Sequence, residues 1–414
     1  MRRLVRLSRS LFVTNRTLTT VVLMAVISSA IAISTGFWLT WRLVYVVAVG
    51  IPVAYGWSRL NLMGIEIVPD RSTDRLQVGA RFEERITIRN RSWLPKIWLE
   101  IDDPSEMPGH VAKRVVTVGA RNSRTWRVRS VVQRRGLYTV GPVSVTTGDP
   151  FGMFHHTRRF GRAQNILVYP RATELPDFSL PVASLPGEGR FRRRTHDVTP
   201  NASGVRPYEY GDSFNRIHWS STARIGEPMV KIFELDPASD IWIILDLQRE
   251  VHIGEGDDST EEYGVSIAAS VSLYFLTAQR TVGLLSFGRG FDNVDADRGI
   301  SQYTRILESL AMAKAWGDVP LGDLLANEAR RFGRHTTVVA VTPSTNEEWV
   351  AGLGALQARG VKVAAIVIEP STFGGAESSL GVFASLAATD VFTRMVRHAD
   401  DLQTALGAGV EAGG

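Results

Sequence analysis

Residues 204–234 read GVRPYEYGDSFNRIHWSSTARIGEPMVKIFE, and this stretch separates a β-rich half of the chain from an α/β half. Its residues 210–212, Tyr-Gly-Asp, are typical of a turn that leads into a short helix, with Asp212 as a cap for the free N–H groups of the first turn. Gly226 and Pro228 end that helix, because glycine adopts a left-handed conformation and proline cannot continue the hydrogen bonding. The stretch therefore predicts a turn and a short helix, followed by a strand.

The same stretch is dense in charged and aromatic side chains, which is typical of either a buried polar network or a contact surface. The residues expected to hold the turn and the start of the helix are Gly204, Arg206, Tyr208, Gly211 and Asp212. The residues expected to contact a partner are Arg216, Trp219, Arg224 and Glu227.

The spacing of these residues resembles the signature of the domain of unknown function 58 (DUF58) family. The matching positions are Gly204, Arg206, Tyr208, Gly211, Asp212, Arg216, Ile217, Trp219, Thr222, Ala223 and Arg224. The resemblance extends to Arg135-Gly136-x-Tyr138, Gly141-Pro142, Asp149-Pro150-Phe151-Gly152 and Val168-Tyr169-Pro170. It implies an architecture rather than an activity, since the family is defined without a known activity.

The positive charge of the chain is concentrated at its N-terminus. The 414 residues have a formal net charge of +5, but residues 1–63 hold seven arginines and no acidic residue. The rest of the chain has 40 basic and 42 acidic residues, so the overall charge does not support nucleic-acid binding. The absence of cysteine excludes disulfides, thiolate zinc sites and cysteine nucleophiles.

Two uncharged apolar runs follow five arginines at the start of the chain. Residues 17–41 are long enough to cross a hydrocarbon core of roughly 30 Å, and residues 43–58 are slightly short, with Arg42 between the runs. The alternative is a cleaved signal peptide, but a second apolar run follows at once. The positive-inside rule places the N-terminus in the cytoplasm, and two spans return the chain to that side. We therefore expect residues 1–63 to anchor the protein in the inner membrane by two transmembrane helices, with soluble domains in the cytoplasm.

Residues 64–170 alternate with a period of two. Apolar and polar residues alternate over 85–89 and 125–129, and Gly/Pro turns separate such runs, which predicts an antiparallel β-sandwich. The arginines between 121 and 135 fit a solvated sheet face, with a lipid-headgroup role as the alternative. Residues 171–203 have no sustained periodicity, and we interpret them as a linker or strap.

Residues 204–414 alternate between apolar strands and helices. The predicted strands are 241–245, 282–287, 337–341 and 361–368, and the predicted helices are 261–279, 303–315, 321–331, 346–358 and 400–406. Such alternation predicts an α/β doubly wound sheet with helices on both faces. This half is similar to a von Willebrand factor type A domain, so the expected fold is multi-domain: a transmembrane hairpin, a β-sandwich and a von Willebrand factor type A-like domain.

That resemblance implies a Mg²⁺ site built on Asp-x-Ser-x-Ser after the first strand. Asp246 is present, but Gln248 and Glu250 stand at the serine positions, and the later strand end at 341–343 lacks an aspartate. One carboxylate and a neutral amide make a poor shell for Mg²⁺, so we expect no cofactor, with Glu250 as the residue able to complete a weak site. The alternative interpretation is that Asp246 caps a turn or hydrogen-bonds the sheet edge.

Catalytic motifs are largely missing from the sequence. None of the five lysines follows a glycine, which excludes a Walker A loop, and neither Gly-x-Ser-x-Gly nor His-Glu-x-x-His occurs. His218 fits a packed or capping residue better than a general base. We therefore expect an interaction or scaffold protein and not an enzyme.

The resemblance to the DUF58 family also implies partners. Genes of similar proteins often neighbour those of MoxR-type AAA+ ATPases and of membrane proteins with transglutaminase-like domains. This implies work with an AAA+ ATPase in the assembly or maturation of other proteins. The alternatives are a metal-dependent adhesive or ligand-binding module and, after it, a hydrolase. The sequence leaves the oligomeric state open.

Overall fold

The computed structural model describes residues 16–71, 73–178, 180, 202–209, 217–233, 240–288 and 290–407. The chain forms two compact units, Met1–Pro170 and Arg171–Gly414. Two apolar helices are followed by a β-rich region and then by a mixed α/β sheet, which is the predicted order of these parts.

The first unit begins with two helices, α1 (Arg16–Thr35) and α2 (Trp38–Leu62), both long and apolar enough to cross a membrane. The turn between them comes earlier than the apolar runs predict. Gly36 adopts a left-handed φ of 66°, so the chain reverses there and residues 38–41 begin the second helix. Arg42 therefore lies in α2 and not in the connection, with its guanidinium over the Trp38 ring.

Strands make up the rest of the first unit. Among its described residues they are β1 (Ile65–Arg71), β2 (Arg75–Gln77), β3 (Arg81–Asn90), β4 (Lys96–Asp103), β5 (Ala112–Val118), β6 (Ser123–Val131), β7 (Gly136–Val140), β8 (Val143–Gly148), β9 (His155–Phe160) and β10 (Gln164–Tyr169). They pair in the orders β1-β3-β6, β2-β10-β7 and β5-β4-β8-β9. The β2–β10 pair is parallel, which the prediction of an antiparallel sandwich did not include.

Two of these sheets pack face to face through one apolar core. Ile86 and Ile88 of β3 share a buried cluster with Leu99 and Ile101 of β4. The alternation in the sequence produces this packing, because it sends every second residue of a strand into the core and the residues between them outward.

The C-terminal end of α2 is attached to the sheet that contains β4. The Asn61 side chain donates to the carbonyl oxygen of Ile97 and to Oγ1 of Thr147, both at 2.6 Å, and accepts from the Ile97 N–H at 3.1 Å. Asn61 is buried, so these bonds are shielded from water. The helix therefore runs into the sandwich without a flexible linker.

The second unit contains a hairpin and a six-stranded sheet. In the hairpin, β11 (Ala202–Pro207) pairs with β12 (Met229–Phe233), and α3 (Trp219–Ile225) lies between them in sequence. The elements that follow are β13 (Asp240–Leu245), α4 (Thr260–Thr277), β14 (Thr281–Phe287), β15 (Phe291–Asp297), α5 (Ile300–Met312), α6 (Leu321–Glu328), β16 (Thr336–Thr342), α7 (Glu348–Ala358), β17 (Lys362–Ile368), α8 (Leu380–Ala388), β18 (Phe392–Val396) and α9 (Leu402–Gly407).

The six-stranded sheet has the order β15-β14-β13-β16-β17-β18 and is parallel except for the antiparallel edge strand β15. Trp242 and Ile244 share a buried cluster with residues of α6, α7 and α8 on one face. On the other face, Gly264 of α4 lies against Leu245 and Ile368. Helices therefore cover both faces, as the alternation in the sequence predicts.

Candidate functional site

The order of the strands reverses between β13 and β16. From β13 the chain continues to the neighbouring β14, whereas from β16 it continues in the opposite direction to β17. Leu245 and Val341 are register partners, so Asp246 and Thr342 follow the two strand ends side by side. Ligands of open α/β sheets bind at such a point, which makes this pair the first candidate site.

Asp246 is buried and bonded by protein donors on both oxygens. Thr342 donates Oγ1 to Oδ2 of Asp246 at 2.6 Å, and the Gln248 N–H donates to Oδ1 at 3.0 Å. The ring Nε2 of His252 lies 2.9 Å from the backbone oxygen of Asp246. Burial raises the pKa of Asp246, and the bonds from Thr342 and Gln248 oppose this rise. The carboxyl group is thus closed over by Gln248 of its own loop and by Thr342 of β16.

The residues around Asp246 do not fit a Mg²⁺ ion. Glu250, expected to complete a weak site, is exposed in a 3₁₀ turn, while Asp246 is buried. This leaves one carboxylate and the Thr342 hydroxyl, where Mg²⁺ requires a near-octahedral shell of oxygens. Within the described part of the chain, no group of three or more His, Asp or Glu residues is placed to hold a metal ion. The geometry supports the alternative in which Asp246 hydrogen-bonds the sheet edge.

A second buried carboxylate follows β17, and the sequence analysis did not single it out. Glu369 accepts hydrogen bonds from the hydroxyl of Ser371 at 2.6 Å and from the hydroxyl and N–H of Ser379. Burial would raise the pKa of Glu369, but these hydrogen bonds lower it. Glu369 therefore holds the loop after β17 in place. Its position directly after a buried strand, like that of Asp246, was the signal that could have identified it.

The short helix of the signature stretch starts later than predicted. Ile217 forms a β-bridge with Val230, and His218 is the N-cap of α3, with Nδ1 accepting the Ser221 N–H at 3.2 Å. The helix that Gly226 ends therefore begins at Trp219, with His218 as its cap, and not just after Asp212. Gly226 ends it with a left-handed φ of 86°, as predicted.

The helix α3 presents its side chains to solvent. None of its seven residues is buried, and Trp219 is 70% exposed. Arg224 and Ile225 are exposed as well, and Glu227 is exposed just after the helix. Three of the four residues predicted to contact a partner are thus exposed, in α3 or just after it.

The structure places the other predicted residues of the stretch as follows. Tyr208 is half-buried, and its N–H donates to the Pro228 carbonyl at 2.8 Å. Gly204 and Arg206 lie in β11, where they pair with β12. Three further predicted residues lie outside the described residues: Gly211, Asp212 and Arg216.

A buried ionisable cluster lies inside the β-rich region, where sequence reasoning missed it. Arg71 donates Nε to Glu84 Oε1 at 2.9 Å and Nη2 to Asp103 Oδ2 at 2.7 Å. Nε2 of His110 lies 3.4 Å from Glu84 Oε2, and each of the four side chains is at most 3% exposed. Glu84 occupies an inward position of an alternating strand, and a charged residue there was the available signal.

The two carboxyl groups of this cluster have pKa values shifted in opposite directions, although burial acts on both in the same sense. For Asp103, burial is the main cause. It raises the pKa of Asp103 to about 7, and the adjacent Glu84 contributes to the rise. Burial acts in the same direction on Glu84, but the contacts with His110, Asp103 and Arg71 lower its pKa overall. A position this deep in the core indicates a structural role for the cluster and not a catalytic one.

Comparison with known proteins supports the resemblance in the second unit. The family profile described as "Protein of unknown function DUF58" matches residues 204–373. The chain is 25% identical over 288 residues to the uncharacterized protein YeaD of Bacillus subtilis (strain 168), covering 66% of this chain and 69% of that protein. It is 26% identical over 174 residues to the uncharacterized protein Rv1480 of Mycobacterium tuberculosis (strain ATCC 25618 / H37Rv), or 40% of this chain. The chain spans 54% of the length of that mycobacterial relative.

Solved structures resemble only parts of the chain. The C-terminal domain of wzt gives a TM-score of 0.21 at 9% identity, over 25% of this chain and 73% of that domain. The CARDB domain of PF1109 from Pyrococcus furiosus gives a TM-score of 0.19 at 10% identity, over 25% of this chain and 94% of that domain. These scores are too low to assign a fold or a function.

Proposed function

We propose that this protein is a membrane-anchored interaction or scaffold protein, with its β-rich region and its α/β domain in the cytoplasm. It works with a MoxR-type AAA+ ATPase in the assembly or maturation of other proteins. The observation that carries the proposal is the open surface of α3, where Trp219, Arg224 and Glu227 lie within the DUF58 signature. Exposed aromatic and arginine side chains are the residue types that contribute most to protein interfaces.

The surfaces of α1 and α2 support the membrane anchor. Large apolar side chains such as Val26, Ile33, Val46 and Val49 are exposed along both helices. Exposing apolar surface to water costs roughly 25 cal/mol of free energy per Å². A pair of helices with this much exposed apolar surface is therefore more stable when lipid covers it. The arginines that precede α1 support a cytoplasmic position for that end of the hairpin.

We infer that the second unit is a von Willebrand factor type A-like domain with a degenerate metal site. A largely parallel sheet with Asp246 and Thr342 at its switch point supports this interpretation. The second candidate function is a metal-dependent adhesive module. The closure of Asp246 by Thr342 and Gln248 favours the scaffold over this alternative.

The experiment is affinity purification of the tagged full-length protein from native membranes. We expect an AAA+ ATPase to copurify with the wild type and to be reduced by Trp219→Ala and by Arg224→Ala. Arg330→Ala is the matched control, because Arg330 is another exposed arginine at the end of a helix. Equal recovery from all variants, or no ATPase with the wild type, would contradict the proposal.

A further inference from the structure

A cavity of about 530 Å³ lies where α2 meets the outer face of the β5-β4-β8-β9 sheet. Trp57 of α2 and Trp98 of β4 both line it, together with Glu100, Asp149 and His155. Two large aromatic side chains from different elements therefore line the same cavity as two carboxyl groups. The family resemblance assigns nothing to this place.

The backbone at Trp98 is distorted, and the distortion sets the position of its ring. Trp98 has a φ of 55°, which is rare for a bulky residue, and the pairing of β4 with β5 shifts register between Lys96 and Leu99. Oγ1 of Thr147 lies 3.2 Å from the carbonyl oxygen of Trp98, and Asn61 holds both backbone groups of Ile97. Strained backbone persists where its surroundings hold it, and such strain is common at binding sites.

The charges around the cavity favour a cationic ligand. Glu100 and Asp149 line it, and no lysine or arginine does. Asp149 accepts the N–H groups of Phe151 and Phe154, which neutralise no charge, and Glu100 forms an exposed ion pair with Lys113 at 2.7 Å. Indole faces attract cations, and ammonium groups are bound in this way between aromatic rings and carboxylates.

The membrane anchoring proposed above puts the cavity at the level at which lipid headgroups meet the protein. Trp57 lies five residues before the end of α2, or about 7.5 Å along the helix axis. Tryptophan at such a position is typical of the membrane–water interface. A ligand that reaches this cavity from the bilayer therefore presents its headgroup to Trp57 and Trp98.

We propose that the cavity binds the ammonium headgroup of a phosphatidylethanolamine-like phospholipid. Trp57 and Trp98 contact the ammonium group, and Glu100 balances its charge. The proposal rests on the membrane anchoring proposed above and adds a lipid ligand to it.

The test is native mass spectrometry of the full-length protein in detergent, titrated with phosphatidylethanolamine or with phosphatidylglycerol of identical acyl chains. We expect one retained phosphatidylethanolamine per chain, at about tenfold lower lipid concentration than for phosphatidylglycerol. Glu100→Gln and Trp98→Leu should each abolish most of that preference. Glu66→Gln is the matched control, since Glu66 forms a similar exposed ion pair with Arg91 at 2.8 Å. Trp93→Leu is the aromatic control, because Trp93 is 73% exposed and does not line the cavity.

Thermal unfolding of each variant separates loss of binding from loss of fold. If Trp98→Leu is destabilised, Glu100→Gln decides the question, because Glu100 is partly exposed and outside the core. Equal retention of both lipids, or an unchanged preference in Glu100→Gln, overturns the proposal. Carbonate extraction tests the anchoring separately. If the protein stays in the membrane but shows no lipid preference, the lipid inference is wrong and the proposed anchoring still stands.

Discussion

The ammonium group of Lys96 lies 2.5 Å from the backbone carbonyl oxygen of Leu60, in the last turn of α2. Lys96 is only 1% exposed, and burial lowers its pKa. Carbonyl groups in the last turn of a helix lack partners within the helix and carry partial negative charge. A cation on β4 therefore completes the hydrogen bonding of a helix that comes from the candidate membrane anchor.

We expect Lys96→Met to destabilise the first unit. Methionine keeps much of the length of the side chain but removes the charged donor of the Leu60 carbonyl, which then keeps only the Met63 N–H at 3.2 Å. Loss of a hydrogen bond from a charged group costs about 1.5–3 kcal/mol. The measurement is thermal unfolding of the full-length protein in detergent. Lys113→Met is the control, because Lys113 is exposed and should tolerate the change. An equal effect of both substitutions would show that the Lys96–Leu60 bond contributes little.

The buried Asp103 should make stability fall as the pH rises from about 4 to about 7. Its pKa is about 7 in the folded protein against 3.8 for an ordinary aspartate, so in this range the folded state binds a proton that the unfolded chain releases. The contribution is complete below pH 4 and is lost as the pH passes 7, with a slope of at most about 1.4 kcal/mol per pH unit. The lowered pKa of Glu84 acts in the opposite sense at lower pH.

Asp103→Asn should flatten this dependence, measured as melting temperature between pH 5 and 8. Asp102→Asn is the control, because Asp102 is the neighbouring residue on the same strand and points to the other face of the sheet. A slope that persists in Asp103→Asn would assign the titration to another group.

Magnesium should not stabilise the protein. A site with a dissociation constant one hundred times below the metal concentration adds about 2.7 kcal/mol, so a tight site would raise the melting temperature of the full-length protein clearly. We expect no rise at millimolar Mg²⁺, because Asp246 is closed by Thr342 and Gln248. A rise that Asp246→Ala removes would instead favour the adhesive module.

Both ends of the chain should lie in the cytoplasm. Four arginines precede α1 and a fifth, Arg16, begins it, and two spans return the chain to the side on which it began. A reporter that is active only outside the inner membrane should therefore stay silent when it is fused after Gly414. Strong reporter activity would reverse this topology and revive the signal-peptide interpretation.

Substitutions in the signature stretch should distinguish residues that stabilise the fold from residues that contact a partner. Arg224 is exposed on α3, so Arg224→Ala should change stability by no more than about 0.5 kcal/mol. Asp212→Ala should lower the melting temperature of the full-length protein, since we expect Asp212 to hold the turn. If both variants unfold equally early, the stretch serves the fold, and the contact surface lies elsewhere.

The central strands of the α/β sheet were predictable, and its edges were not. Residues 241–245 of β13 are buried on both faces and read as a continuous apolar run, which is a strong local pattern. The edge strand β15 reads FDNVDAD and is mostly exposed, so its composition resembles a loop. Its place in the sheet depends on pairing with β14, which the local sequence does not show.

The sites show the same division between local and long-range information. The position of Asp246 at the end of a strand could be predicted from one segment of the sequence. Its hydrogen-bond partner Thr342 could not, because it lies 96 residues further along the chain. Residues 97–101 alternate in sequence, and Leu99 and Ile101 are buried as that alternation predicts, but Ile97 is exposed together with Trp98. The alternation does not show the left-handed residue at Trp98, which Asn61 and Thr147 hold from other elements.

The direct attachment of α2 through Asn61 has a consequence for the response of the protein to its bilayer. The 25 residues of α2 are about 37 Å long, with Pro52 inside the helix, and the C-terminal end enters the sandwich without a flexible linker. Hydrophobic mismatch makes a membrane helix tilt when the lipid chains are short. If α2 spans the bilayer as proposed, a tilt of the segment after Pro52 turns the attached sheets with it, because Asn61 fixes the helix end to β4. Bilayer thickness would then influence the orientation of the β-rich region.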